Sequence, residues 1–587
     1  MGTISDKLMR IINTKEDIRQ ALISKGYDVP TSIPFKEYAK MISDLPCRVD
    51  SFPDIEGIVA RYSALGLTNE QMAANPVWVD KTGNGHDLQM KNFAWKEGSG
   101  ISDIYPGALV FDGVDDWAGC DNLPLLPKEK GYSIIALRNW ITRYDATQYK
   151  RPLISNLDTN DEGAFLIEYR KDENVNDVTG SYNSFTDVYI DDNNPITWQT
   201  SSSYNGQIIK KGTSKSTNKL CICKTYFGQL SNYANAAIWE IVILDHDATE
   251  EELTKIKDYF VKTYPWLFPD QAWTVVGKTN EDEDRTTIAN ITGNGNDLVL
   301  SNFGFAEGSG YGLYGENYNG GRWVQSTDRA DLTWTSYSVN ITSVKVASTQ
   351  LYYQSYPEQP SFTVPSYKIK VYGLKDGQTL SYRQVTSEGQ QLYKISEDGT
   401  YTLPSFPFKA NGDWYGFTLD KKQETCDITI EQIPEYEGYL VTDGVDDRVQ
   451  DSSFKLNKDW TLVGEWVFLN QKATNAGITK PFSFVVYNRT TGLSLFINTG
   501  TSGITIENVK SIKAICSDGR IYLDDWSEML ISKDQDITSS TSVLSIGFNG
   551  TAYTQMAFKN LGIYNNQLLS KDDCIKAYNY LQTLKSK

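Results

Sequence analysis

Six residues of this chain combine a type and a setting suited to recognition chemistry: His86, Trp95, Trp117, Trp198, Arg448 and Trp526. The tryptophans stand near turn-forming polar residues, in "NFAWKEGSG", "DGVDDWAG", "NPITWQT" and "YLDDWSE". A ring face beside Asn and Asp can cover the apolar face of a pyranose while the polar groups bond its hydroxyls. For each tryptophan the competing reading is packing in a core. His86 follows the turn "TGNG", where simple exposure competes with ligand contact. Arg448 in "TDGVDDR" takes the place that Trp117 holds in "FDGVDDW", so the two places would not bind alike.

Covalent and metal chemistry is poorly supplied. His86 and His246 are the only histidines in 587 residues, and neither stands by a nucleophile motif. Ser-His-Asp catalysis and histidine metal sites therefore lack their parts. Cys221 and Cys223 form C-x-C in "KLCICKTYF", an apolar strand-like run whose alternation would put both thiols on one face. As a metal half-site the pair lacks partners, whereas as buried strand residues it needs none. The seven cysteines are an odd number without framework spacing, which fits free thiols in a reducing cytoplasm.

Bulk properties narrow the classes further. A formal net charge of −18 opposes nucleic-acid backbones and anionic membrane surfaces, so neither is an expected partner. No run approaches the ~18 apolar residues of a membrane span, so no membrane insertion is expected. The opening "MGTISDKLMRIINTK" is short, charged and helical in pattern, not the pattern of a secretory signal. Abundant Tyr, Thr, Ser, Asn and Gly favour pleated strands joined by polar turns.

The elements that would position these residues come in two copies. Residues 80–100, "DKTGNGHDLQMKNFAWKEGSG", and 290–310, "NITGNGNDLVLSNFGFAEGSG", are identical at 12 of 21 positions. Four more markers repeat. "LTNE" (67–70) returns as "KTNE" (278–281), "FDGVDDW" (111–117) as "TDGVDDR" (442–448), and "YIDD" (189–192) as "YLDD" (522–525). "AIWEIVILDHDATEEELTKIKDYF" (237–260) returns as "AFKNLGIYNNQLLSKDDCIKAYNYL" (557–581), an apolar strand and then a helix. Thr249 with Glu252, and Ser570 with Asp573, have capping-box spacing there. "TGNG" and "DGVDD" read as tight turns.

The marker offsets are 211 and 210, then 331 and 333, so the second copy carries an insertion of about 121 residues. Its short alternating runs, among them "YSVNITSVKVAS", "SYKIKVYGL" and "CDITIEQI", predict an immunoglobulin-like sandwich. The division expected is a helical anchoring and oligomerisation head over 1–46, a linker over 47–54 and a first sandwich over 55–268. A second sandwich covers 269–314 plus 437–587, interrupted by the insert over 315–436. In the head, Ile4, Leu8, Ile11, Ile18, Leu22, Met41 and Ile42 form apolar stripes too small for a core, which predicts docking on a partner or on further copies.

The early "GNG-x-DL", the central "DGVDD", the late "Y-x-DD" and the closing strand plus helix resemble the laminin-G/concanavalin-A-like lectin superfamily. "GKTNEDEDRTTIANITGNGNDLVLSNFGFAEGSGYGLY" with "CDITIEQIPEYEGYLVTDGVDD" resembles virion proteins of crAss-like and related Bacteroides bacteriophages. The head "NTKEDIRQALISKG" is similar to a helical module at the N-termini of phage tail and fibre proteins. Together the resemblances cover nearly the whole chain.

The resemblance implies a mainly β virion fibre, on head or tail, that is made in the host cytoplasm and exposed on the particle. It implies lectin-like domains attaching to host surface polysaccharide. The head would contact other virion proteins and form a homo-oligomer, a trimer ahead of a dimer. It requires no cofactor and allows calcium on loop acids, with Asp112, Asp115 and Asp116, and Asp443, Asp446 and Asp447, as the candidate ligands. The competing reading of those acids is a solvated turn. An architectural capsid, collar or tail component is the alternative function. A polysaccharide depolymerase is less supported, because E-x-D-x-x-E, the glycosidase motif of such sandwiches, is absent. Glu162 and Glu168 lie six apart, and "EDED" (281–284) reads as a solvated turn.

Overall fold

The computed structural model describes residues 52–126, 131–142, 150–158, 165–170, 183–186, 195–200, 209–210, 217–228, 232–325, 328–355, 360–386, 389–409, 413–451, 459–469, 472–475, 478–481, 483–489, 492–498, 504–505, 511–530, 544–547, 553 and 555–584. The head positions Ile4, Leu8, Ile11, Ile18, Leu22, Met41 and Ile42, and the "YIDD" segment, lie outside the described residues. The chain is mainly β, with antiparallel pairing in nearly every ladder. Among the described residues no helix is long and apolar enough to cross a membrane.

Backbone contacts separate residues 1–57 with 248–264 from residues 58–247 with 265–587. In the smaller unit, helix Glu250–Thr263 starts at a complete capping box, with Thr249 and Glu252 bonding each other's backbone N–H. Phe52 sets its ring edge-on to Tyr259 at 4.9 Å.

The larger unit contains three pairs of sheets, each pair sharing one core. In the first, strand Asn235–Leu244 is central, pairing with Ile58–Ser63, Leu109–Asp112 and Ser133–Trp140. The facing sheet includes Val77–Trp78, Leu88–Lys91, Trp117–Cys120, Lys150–Ser155 and Leu220–Ile222. Leu109, Phe111, Ile134 and Ile241 from one sheet meet Trp78, Leu88, Met90 and Ile154 from the other. Cys223, at φ +56°, packs in this core and Cys221 does not. The left-handed residue breaks the alternation that would have put both thiols on one face.

The second pair repeats the pairing scheme. Gln555–Asn565 stands for Asn235–Leu244 and pairs with Gln271–Thr274, Glu435–Asp443 and Trp460–Phe468. Leu298–Ser301 pairs with Arg448–Asp451 as Leu88–Lys91 pairs with Trp117–Cys120. Helix Lys571–Leu581 follows, capped by Ser570. Here the Asp573 carboxylate accepts from the Ser570 hydroxyl (2.9 Å), and the cap takes only the forward half of the box. Asp is one methylene shorter than the Glu252 that closes the first.

Strands between Trp323 and Ile433 pair only with one another among the described residues, in two five-stranded sheets and one two-stranded pair. Val339, Ile341, Ile369 and Ile430 pack against Leu351, Leu380, Phe417 and Leu419. The two ends of this segment are tied together. Glu316 N donates to Gln432 Oε1 (3.0 Å), and Gln432 Nε2 donates to Glu316 O (2.9 Å). The Glu316 side chain enters the core, where it accepts from Tyr415 Oη (2.7 Å) and Trp323 Nε1 (3.2 Å).

The polar "IVARYS" strand forms because its charge is matched across the ladder. Arg61, 5% exposed, donates from Nε to Glu240 (2.7 Å), which is fully buried inside "AIWEIVIL". The second copy places Ala272 and Asn560 at the corresponding positions, so both members of the pair are neutral there. A buried ion pair is destabilised strongly when one member is removed. Arg61→Met is expected to cost about 3–5 kcal/mol in urea unfolding, and adding Glu240→Gln to recover most of it.

Burial pushes the Glu316 carboxyl up to about 7, against the lowering effect of its bonds from Tyr415 and Trp323. An acid whose pKa rises on folding binds its proton more tightly in the folded chain. Stability from this site is therefore largest at low pH and falls as pH rises from about 4.5 to about 7. The loss is on the order of 3 kcal/mol. Glu316→Gln should flatten this part of the stability-pH profile measured by chemical unfolding at pH 4.5–8.

Candidate functional site

The repeated segments fall at the two ends of strand Leu88–Lys91, the "TGNG" turn before it and the "DGVDD" turn beyond it, where Lys91 pairs with Trp117, and Leu298–Ser301 divides the second copy in the same way. In the first turn, Asp80 accepts from Thr82 N (3.0 Å) and its own N–H donates to Asp87 Oδ1 (2.8 Å). Asn290 does the same with Thr292 N (3.1 Å) and Asp297 Oδ1 (2.7 Å). Gly83 and Gly85, and Gly293 and Gly295, all have positive φ, which is why "TGNG" is needed twice. Tyr62 Oη reaches His86 O (2.6 Å), and Trp273 Nε1 reaches Asn296 O (3.0 Å), so two different aromatics hold the same turn carbonyl.

In "DGVDD", Asp112 Oδ1 accepts from Val114 N (2.8 Å) and Asp115 N (3.3 Å). Its N–H donates to Asp116 Oδ2 (3.0 Å). Asp443 and Asp447 repeat every one of these bonds, at 2.7, 3.3 and 2.8 Å. Asn92 Nδ2 clamps the turn at Asp115 O (2.9 Å), and Asn302 at Asp446 O (3.0 Å). Ser309 Oγ accepts from Gly304 N (2.8 Å) and donates to Asp447 Oδ1 (3.0 Å). Ser99 accepts from Ala94 N (2.8 Å) at the corresponding place in the first copy. Burial raises Asp116 to about 6 and Asp447 to about 7, and these bonds oppose the rise.

Asn69 closes the set by bonding both N (2.7 Å) and O (2.8 Å) of Ile101. Asn280 does so with Tyr311 (2.7 and 3.4 Å). Gly100 and Gly310, at φ +144° and +138°, lie against these asparagines, where a Cβ would strike the amide oxygen. The asparagines, serines and glycines of this junction carry no chemistry that marks them singly. The signal that could have found them is their identity in both copies.

In each acidic turn, ligand oxygens of the three aspartates lie within 4.8 Å of one another. Calcium takes six to eight oxygens at about 2.3–2.6 Å. Here the oxygens of Asp112, Asp116, Asp443 and Asp447 face backbone N–H groups, the polarity of a turn closed on itself. Asp112 and Asp443 use Oδ1 for these amides, and Asp116 and Asp447 use Oδ2.

The aromatic candidates are spread out and already in contact. Trp95, at φ +54°, stacks on Phe93 (4.9 Å, 18°) against the first core. Lys224 Nζ lies 4.1 Å from the centroid of the Trp117 ring, and Phe227 meets that ring edge-on. Trp526 has Lys513 Nζ over its ring at 5.3 Å and Tyr578 at its edge. Arg448 donates to Tyr553 Oη (2.8 Å), and His86 donates its backbone N–H to Asp80 Oδ2 (3.3 Å). Trp95 and Trp117 share the "DGVDD" end, since Lys91 pairs with Trp117 and Asn92 holds Asp115. Trp198 is instead the middle residue of edge strand Ile196–Thr200, opposite Ile135. Glu281 to Asp284 form a turn, with Thr279 bonded to Asp282 and Lys278 to Asp284.

No protein-family model and no curated protein matches the chain. A solved structure of the N-terminal CBM22-1–CBM22-2 tandem domain from Paenibacillus barcinonensis Xyn10C aligns over 65% of this chain and 98% of its own. Its sequence identity is 11% and its TM-score 0.16, a similarity too weak to carry an argument.

The junction makes a paired prediction. Gly100→Ala and Gly310→Ala should each cost about 1–3 kcal/mol in urea unfolding, through strain at positive φ and displacement of the asparagine clamp. Gly98→Ala, at positive φ but in open space, should cost less than Gly100→Ala.

Proposed function

We propose that the chain is a non-enzymatic appendage of a phage virion, a head or tail fibre, that displays lectin-like sandwiches to host surface polysaccharide. In this reading residues 55–268, and 269–314 with 437–587, are laminin-G/concanavalin-A-like, and 315–436 is an immunoglobulin-like insert. The observation that carries it is the repetition of the central strand pairing, down to the bonds of the "DGVDD" turn, in two halves of one chain. Duplication of a β frame presents two surfaces on one stalk, and a self-associating head over 1–46 would multiply them. Avidity then strengthens weak contacts by ~10²–10⁴ where geometry permits. The acids gathered by the fold serve turn amides, which supports display over hydrolysis.

A second reading is favoured by the covered rings. Phe93 on Trp95, Lys224 on Trp117 and Lys513 on Trp526 are the contacts of surfaces made to be rigid. Such surfaces would suit neighbouring virion proteins in an architectural component.

The full chain should bind intact host-type cells and their extracted polysaccharide saturably, without releasing reducing ends. Absence of binding, together with malformed virions when the protein is deleted, would establish the architectural role. Release of reducing ends would identify a depolymerase.

A further inference from the structure

The insert between Trp323 and Ile433 contains a cavity of about 330 Å³. Gln384, Thr386, Gln391, Phe406, Lys409 and Asp413 contribute to its wall. Its volume falls at the small end of the ~300–1,000 Å³ range of ligand pockets. It lies where the core of the insert gives way to amides. On strand Leu380–Thr386, Leu380 and Tyr382 are core residues, and the same alternate face continues as Gln384 and Thr386. Gln391 stands directly across the ladder from Gln384, so two amides share that face.

Two polar side chains in this wall are almost completely buried, Gln384 at 3% and Asp413 at 3% exposed. Gln384 Nε2 bonds Pro404 O at 3.4 Å, and Asp413 Oδ2 accepts from Lys409 N at 2.8 Å. The bond to Pro404 O uses one of the two donors of the Gln384 amide. The outer strand, Gly389–Ile395, is exposed at every residue but the last, so the cavity is reached from the sheet edge. Lys409 and Asp413 bring one charge of each sign, and the remaining polar groups are neutral. A phosphate or carboxylate ligand would meet Asp413 as well as Lys409. A neutral polyhydroxyl ligand matches amides, which donate and accept, and Phe406 supplies an apolar wall for its C–H face.

We propose that this cavity of the insert binds a neutral saccharide unit, held by Gln384 and Gln391 against Phe406. The proposal rests on the glycan-binding reading above and moves its contact from the two sandwiches to the insert. Two variants of the full chain test it. Gln391→Trp adds bulk at an exposed strand position and fills the cavity. Gln384→Leu keeps the shape and removes the amide.

Calorimetric titration with maltose, lactose, chitobiose and extracted host polysaccharide is the measurement, with thermal unfolding of each variant as the control for folding. Binding by the unmodified chain that weakens at least tenfold in Gln391→Trp, with unchanged melting, is the expected result, and Gln384→Leu should weaken it in the same direction. Saccharide binding that Gln391→Trp leaves intact would overturn the cavity while the glycan reading stands. Failure of the unmodified chain to bind any of the four would overturn both.

Discussion

A buried carboxylate at the end of each sandwich, Asp116 in one and Asp447 in the other, is the constraint on which the repeated frame depends. Neither has more than 1% of its surface exposed, and burying an acid is costly unless its oxygens are satisfied. Each takes the N–H of the aspartate that opens its turn, at the point where a strand leaves the ladder and that amide loses its strand partner. Around it Asn92 and Asn302 hold the turn carbonyl, Ser99 and Ser309 take a loop N–H, with Ser309 also bonding Asp447, and Asn69 and Asn280 fix the adjoining strand. Removing one member leaves buried donors or acceptors unpaired, which costs more than the bond contributes. Short polar side chains linked in this way change together or not at all. That accounts for identical Asn, Ser, Gly and Asp residues in both copies while neighbouring side chains differ.

Much of this frame was legible because repetition exposes it. The turns at "TGNG" and "DGVDD", the closing apolar strand, and the place where the second copy is interrupted follow from spacing and turn chemistry. The partners within the frame were not legible. Arg61 and Glu240 are 179 positions apart, and nothing local says that a polar strand and an acid inside an apolar run belong to one another. Both thiols of the C-x-C pair are buried as expected, but their shared face failed for a different reason. Its alternation assumed extended backbone, and one left-handed residue, Cys223, sends the two thiols different ways.

The long interruption of the second copy is accommodated by a local device. A segment of more than a hundred residues costs little closure entropy beyond that of a short loop, provided its ends are held together. Gln432 holds them by exchanging two bonds with the backbone of Glu316, one residue from each end of the segment answering the other. Tyr314 stacks on Tyr337 at 5.0 Å beside the same junction. The Glu316 carboxyl then reaches Tyr415 and Trp323 in the insert's core. One residue thus fixes the connection to the sandwich and the packing of the insert.

The aromatic candidates show what sequence cannot separate. A tryptophan beside a polar turn reads the same whether its ring faces solvent or a neighbour. The neighbour that decides is distant in sequence, Lys224 for Trp117 and Tyr578 for Trp526. Arg448 in place of Trp117 is accompanied by a new partner, Tyr553, so a cation and a ring meet in both copies with their order reversed. This interchange is what packing demands and what a ligand platform would not tolerate, since a guanidinium and an indole offer a sugar different faces. Recognition in this chain is therefore better sought where polar groups are buried without serving the frame. The buried amide of Gln384 beside the insert's cavity comes nearest to that condition, and the rings at the sandwich ends do not.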